Sequence, residues 1–136
     1  MLVLDVFVGV PNAQNKKVFV QPEIAGIHSG DDVLWRIFSL DSKISHVEIE
    51  FDDPADEFFP SNTNATRSKK CHARLSGDGS AKQGTIHGDA PRPGANPGEK
   101  SVGKASKYTV RAYSQAPQDG VTPVAIDDPI IVTVDP

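Results

Sequence analysis

The sequence predicts an all-β fold, an antiparallel Greek-key β-sandwich forming a single domain over residues 1–136. Three observations carry that expectation. Apolar residues alternate with polar ones at period two in one segment after another, as strands with one face in a core require. Eleven glycines and eleven prolines interrupt the chain at short intervals and leave little room for a long helix. The segments between them, about seven in all, are short and turn-bounded, the pattern of a sandwich. With 136 residues the chain is long enough to close one core.

In LVLDVFVGV, Leu2, Leu4, Val6, Val8 and Val10 share one face, and Val3, Asp5, Phe7 and Gly9 share the other. A second extended segment lies near Val18 to Val20. Gly30-Asp31-Asp32 is turn chemistry. The strand after it sets Val33, Trp35 and Ile37 on one side and Leu34, Arg36 and Phe38 on the other. Both faces are substantially apolar, which suits a central strand and places Trp35 between the sheets.

Val47, Ile49 and Phe51 then alternate with His46, Glu48 and Glu50, predicting a core face and a solvated face. Cys71, Ala73 and Leu75 alternate in the same way with Lys70, His72 and Arg74. Tyr108, Val110 and Ala112 are in phase, followed by Ile130, Val132 and Val134. One segment breaks the rhythm. Residues 76–106 are rich in Gly, Pro, Ser and Lys and read as a long loop. Loops beyond about 12 to 15 residues are uncommon in compact domains unless they serve a function.

Eighteen acidic residues against fourteen basic ones give a net charge of −4, which argues against nucleic acid as a partner, since that interaction needs an excess of Lys and Arg. The single cysteine, Cys71, excludes an internal disulfide framework. The N-terminal apolar run lacks a basic flank and contains Asp5, so it reads as neither signal peptide nor membrane span. The expected location is cytoplasmic, or that of a mature exported form without its signal peptide. Asn64-Ala65-Thr66 has the pattern of a glycosylation acceptor, too short to carry weight.

VFVQPEIAGIHSGDDVLWRIF, SHVEIEFDDP and KYTVRAY together resemble the cupredoxins over residues 17–54 and 107–134. The best-matched piece is Gly30-Asp31-Asp32-Val33-Leu34-Trp35. AIDDPIIVTV is also similar to the closing strand of uncharacterised bacterial cupredoxin-like domains that generally lack the blue-copper ligands. The resemblance implies a cupredoxin-like scaffold. In the copper-binding members a first His on the strand matching 46–51 is joined by Cys, His and Met from the loop before the last strand. Here that loop, SQAPQDGVTPVAIDD, contains none of the three. His46 and Phe51 are five residues apart, so strand parity sends them to opposite faces. A blue-copper site needs imidazoles and a thiolate converging on one ion, and this pattern does not provide them.

The remaining metal candidates are His46, Cys71, His72 and His87, as an alternative copper or zinc site. Cys71 and His72 are adjacent, so a regular strand points them apart. Asp52, Asp53, Asp56 and Glu57 form an acidic corner that reads as a solvated turn ahead of a calcium site. Gly98 to Ala105 nearly matches a phosphate loop, but Ala105 stands where the magnesium-binding Ser or Thr belongs and a strand follows in place of a helix. No nucleophile elbow, triad or paired-carboxylate spacing is present. The sequence therefore predicts a protein that is not an enzyme and binds no cofactor, a binding or structural module for a protein partner or for self-association. Protein loaded with Cu(II) is expected to stay free of the intense blue colour of a thiolate-imidazole copper centre; a blue solution in an absorption spectrum would contradict this.

Overall fold

A computed structural model describes residues 3–10, 17–28, 30–54, 56–60, 67–77, 81–90 and 104–134. Among these the chain forms strands and no helix: β1 (Val3–Val10), β2 (Phe19–Gln21), β3 (Ile24–His28), β4 (Asp32–Ser39), β5 (His46–Phe51), β6 (Phe59–Pro60), β7 (Arg67–Ser68), β8 (Lys70–Arg74), β9 (Lys82–Asp89), β10 (Lys104–Tyr113), β11 (Ala125–Asp127) and β12 (Ile130–Val134). The first sheet runs β2-β1-β4-β9 and the second β3-β12-β10-β5-β8, with β11 beside β10.

The predicted all-β architecture is present, but its sheets are mixed. β1 lies parallel to β4, and β3 parallel to β12, while the other pairings are antiparallel. The cause is a change of sheet. After β2 the chain passes to the far edge of the second sheet as β3, then turns and returns to the first sheet on the other side of β1. Gly30 occupies that turn at φ 84°, a left-handed conformation that side chains with a Cβ resist. Its N–H donates to the Ala90 carbonyl, while Asp31 N–H closes back on the His28 carbonyl.

The core follows the predicted parity. Val6, Val8 and Val10 of β1, Val33, Trp35 and Ile37 of β4, Val47, Ile49 and Phe51 of β5, and Tyr108, Val110 and Ala112 of β10 are all buried. Trp35 sits between the sheets with its ring 5.5 Å from Phe59, 5.9 Å from Tyr108 and 6.4 Å from Phe51, centroid to centroid. Its indole N–H donates to the Tyr108 hydroxyl at 3.4 Å. Phe51 in turn stacks on Phe58 at 4.0 Å.

Two expectations are corrected. The segment 76–106 is not one loop, because β9 runs through it and pairs with β4 along its whole length, Trp35 opposite Ile86. Its inward positions are Gly84, Ile86, Gly88 and then Ala90, so its apolar alternation is masked by glycine. The space is needed: a Cβ on Gly88 would come within 2.9 Å of the Phe58 carbonyl oxygen and 3.1 Å of the Trp35 ring, and one on Gly84 within 2.9 Å of Leu75. Residues 91–103 of the expected loop, with most of the near phosphate-loop match, lie outside the described residues, as does the 64–66 acceptor pattern. In β12 the core face is that of Ile131, fully buried, and not that of Ile130 and Val132, which are half-buried. A strand apolar on both faces leaves its parity open until its partners are known.

Replacing Trp35 with Ala is expected to cost about 3 to 5 kcal/mol in chemical denaturation, because the aromatic ring and hydrogen-bond partner around it cannot collapse into the void. A loss below about 1 kcal/mol would show that the indole is not in the core.

Candidate functional site

The outer face of the second sheet holds His46, on the side away from Phe51 as parity predicted. Phe51 N–H donates to the Lys69 carbonyl and Leu75 N–H to the Ser45 carbonyl, so the odd-numbered residues of β5 make the ladder bonds with β8. The even-numbered pairs His46–Arg74, Glu48–His72 and Glu50–Lys70 therefore occupy the positions where facing side chains approach closest. On the other flank β10 sets Tyr113 opposite His46, Arg111 opposite Glu48 and Thr109 opposite Glu50.

Glu48 is not solvated as the alternation suggested; it is 3% exposed. A strand with neighbours on both sides has its short outward side chains roofed by longer ones, and a buried carboxylate must then be paired. Arg111 Nη1 reaches Glu48 Oε1 at 3.2 Å and Glu50 Oε1 at 2.9 Å. Lys70 Nζ lies 3.6 Å from Glu48 Oε2, Lys69 Nζ 3.7 Å from Glu50 Oε2, and the Tyr113 hydroxyl donates to Glu48 at 3.5 Å. Proximity to both glutamates raises Arg111 further against the desolvation that opposes it. Arg111 is the residue sequence reasoning missed. Its signal was available once KYTVRAY and HVEIEF were paired, since the two strands then bring Arg111 across from Glu48.

The four metal candidates separate. His46 and His72 come together, with ring centroids 6.1 Å apart. Cys71 faces the opposite side of β8, across from Ile49, where it packs against the core. Burial pushes its thiol up, against the weak contact with the His72 carbonyl that lowers it, and leaves a poor nucleophile. His87 belongs to the other sheet, on β9 opposite Leu34, with Nε2 3.8 Å from Asp32. Among the described residues no three His, Cys, Asp or Glu side chains are grouped to hold a metal ion. The imidazole of His46 accepts or donates through Nδ1 to Ser45 Oγ at 2.7 Å. Desolvation, then the charges of His72 and Arg74, hold it below the usual histidine range.

Asp52, Asp53 and Glu57 of the acidic corner are exposed as a solvated turn requires, but Asp56 is not. Asp56 is buried, and Lys104 Nζ lies 2.6 Å from its Oδ1 and 3.5 Å from Asp53 Oδ2. The ammonium occupies the place a bound cation would take, and its affinity for the proton is raised by Asp56. Asp52 instead receives the Thr109 hydroxyl, at 3.3 Å, which also reaches Asp128 at 3.0 Å. Beside them Glu23 meets Asp127. Desolvation, then the hydrogen bond and charge of Asp127 and the charge of Asp128, push Glu23 up to about 7.

The outer face of the first sheet is of another kind. Phe7 and Phe38 stack at 5.2 Å with planes 21° apart. Phe19 and Phe38 flank Gly9 in register, and Gly9 contributes no side chain between them. Phe7, Phe19 and Phe38 are 47%, 55% and 37% exposed, and Leu40 beyond them is 66% exposed. A shallow open groove beside Phe7 is lined by Val20, Gln21, Pro22 and Glu23. The Asp5–Arg36 ion pair, 3.0 Å, adjoins the aromatic cluster.

No family model matches the chain, and no curated protein sequence matches it at a significant level. Among solved structures the chain is similar to Fet3p, a multicopper oxidase that functions in iron import, at 8% identity and TM-score 0.41 over 97% of this chain and 27% of that one. It is similar to the dithionite-reduced auracyanin of the photosynthetic bacterium Roseiflexus castenholzii at 12% identity and TM-score 0.43, over 98% of both chains. A further multicopper oxidase is 8% identical at TM-score 0.41, with 98% of this chain and 44% of that one covered. At these identities the likeness is one of fold alone. No helix among the described residues is long and apolar enough to cross a membrane.

Two opposite pH dependences follow. His46 has its folded-state value below 6.5, so its stabilising contribution is present above 6.5 and is lost as pH falls through the lower folded value. Denaturant midpoints should therefore drop on acidification, and His46→Gln should flatten that drop; an unchanged profile would contradict the placement. Glu23 has its value raised from 4.5 to about 7, so its contribution is present below 4.5 and is lost as pH rises to about 7. Glu23→Gln should be more stable than the parent in alkaline buffer and gain little in acid, as thermal melts at the two extremes will show.

Proposed function

We propose that this protein is a non-catalytic β-sandwich module that associates with a second copy of itself through the outer face of the first sheet. The observation that supports this most is the aromatic cluster of Phe7, Phe19 and Phe38 around Gly9, exposed on a sheet face that no other described element covers. Aromatic residues on a rigid sheet give contact area with little loss of conformational freedom, which is why they concentrate binding energy. A copy of the same chain is favoured over an unrelated partner by the charges beside the cluster. Asp5 and Arg36 have side chains 61% and 55% exposed and lie on adjacent strands. A two-fold apposition sets each Asp5 near the other copy's Arg36, so the face is complementary to itself.

The absence of catalysis is part of the proposal and has its own support. The Ser45–His46 contact joins neighbours in sequence, and the charges nearest His46 are His72 and Arg74. A catalytic imidazole paired with a nucleophile needs a carboxylate to stabilise its protonated form, and cations do the reverse. Copper or zinc binding by His46 with His72 has the 6.1 Å ring approach in its favour. Arg74 and Lys70 around that pair oppose a metal cation.

Sedimentation equilibrium tests the reading. The parent chain should show concentration-dependent dimerisation, and the Phe7→Ser, Phe38→Ser double variant should weaken it at least about tenfold while keeping a parental melting temperature. A parent that stays monomeric at every concentration would refute self-association; a dimer undisturbed by the double variant would place the interface elsewhere.

A further inference from the structure

The corner of the second sheet where β5 and β8 meet Ser45 carries positive charge that no described carboxylate neutralises. Four arginines fall among the described residues. Arg36 pairs with Asp5, Arg67 with Asp89, and Arg111 with Glu48 and Glu50. Arg74 has no carboxylate partner among those residues, although it is exposed on the same face as both glutamates. Those glutamates are already taken, since Arg111, Lys69 and Lys70 supply three cations to two carboxylates. Arg74 is left facing His46 across a close, non-ladder pair, with the His72 ring 6.1 Å from that of His46. Ser45 adds a hydroxyl at the imidazole edge.

We infer that His46, His72 and Arg74 form a binding site for an oxyanion of the phosphate or carboxylate class. The chemistry fits each member. A guanidinium presents paired N–H donors that match two oxygens of such an anion. Imidazoles become donors at both nitrogens on protonation, so they add charge as well as hydrogen bonds when the anion arrives. After desolvation, the charges of His72 and Arg74 lower the proton affinity of His46, and a bound anion offsets that part. The groups facing His46 are His72 and Arg74 from β8, Tyr113 and Arg111 from β10, and Glu48 along β5. Glu48 is occupied by Arg111 and Lys70, so no free carboxylate among these groups competes with the ligand.

The test follows the histidine ring resonances of the full chain by NMR while inorganic phosphate, or in a parallel arm acetate, is added at constant ionic strength near about pH 6. Both His46 and His72 should shift saturably, and affinity should rise as pH is lowered from about 8 to about 5.5. Arg74→Gln, which breaks no ion pair, should weaken binding about tenfold or more. Lys107→Gln removes a charge six residues along β10 from Tyr113, about 20 Å away, and should leave binding unchanged. Tighter phosphate than acetate identifies a phosphate ligand; equal or tighter acetate identifies a carboxylate, as on an acidic side chain of a partner. Shifts that fail to saturate with either anion, or equal losses in Arg74→Gln and Lys107→Gln, would overturn the inference.

Discussion

Trp35 at the middle of β4 makes a demand that its neighbours have to satisfy. An indole between two sheets fills more space than the aliphatic residues beside it, and interiors packed to crystal density tolerate neither overlap nor voids. Phe51 and Tyr108 of the second sheet and Phe59 of β6 surround it, and the Tyr108 hydroxyl takes its N–H. On its own sheet the adjacent strand has to withdraw. Gly88 does so, with the Trp35 ring and the Phe58 carbonyl standing where its side chain would be. Gly88 of β9 thus answers to the tryptophan of β4, while Gly84 makes room for Leu75, and only with β9 in place is β4 an interior strand with partners on both sides.

With both sheets closed inward, their outward faces are left to differ. The second sheet spends its outer face on ion pairs, and a buried Glu48 held by Arg111, Lys70 and Tyr113 ties three adjacent strands together. Removing one partner would strand a buried charge, so this lattice is rigid and has little freedom to rearrange for a ligand. At its end Arg74 and the two histidines are left over. The outer face of the first sheet sets the Asp5–Arg36 ion pair beside stacked Phe7 and Phe38. One face thus offers apolar contact and the other a small charged site, and the two are separated by the full thickness of the sandwich.

How far the sequence displayed this depends on what its side chains had to do. Strands with one polar and one apolar face were legible: Val47, Ile49 and Phe51 face inward and His46 outward, as alternation requires. Trp35 was legible for the same reason. β9 was hidden because its inward residues are small by necessity, and glycine in a sequence reads as a turn. The parity of β12 was hidden because Ile130, Ile131 and Val132 are all apolar and only the pairing of Ile131 with Ala25 and Ser106 decides it. Parallel pairing was hidden because it depends on a change of sheet after β2. At the candidate sites, the proximity of His46 and His72 and the divergence of Cys71 were readable from period two within strands, but which strands are neighbours was not. That missing order concealed Arg111 as the partner of Glu48 and left Lys104 unrecognised as the cation of Asp53 and Asp56.

The central claim, that residues 82–89 are a strand completing the wall around Trp35, is open to a direct measurement. Native-state hydrogen exchange reports the opening free energy of each backbone amide. If the account is right, the amides of β9 that pair with β4 exchange about as slowly as those of β4 itself, because losing either strand exposes the same core. Exchange across 82–89 at the rate of an unstructured peptide, with β4 still protected, would contradict it and return that segment to a loop.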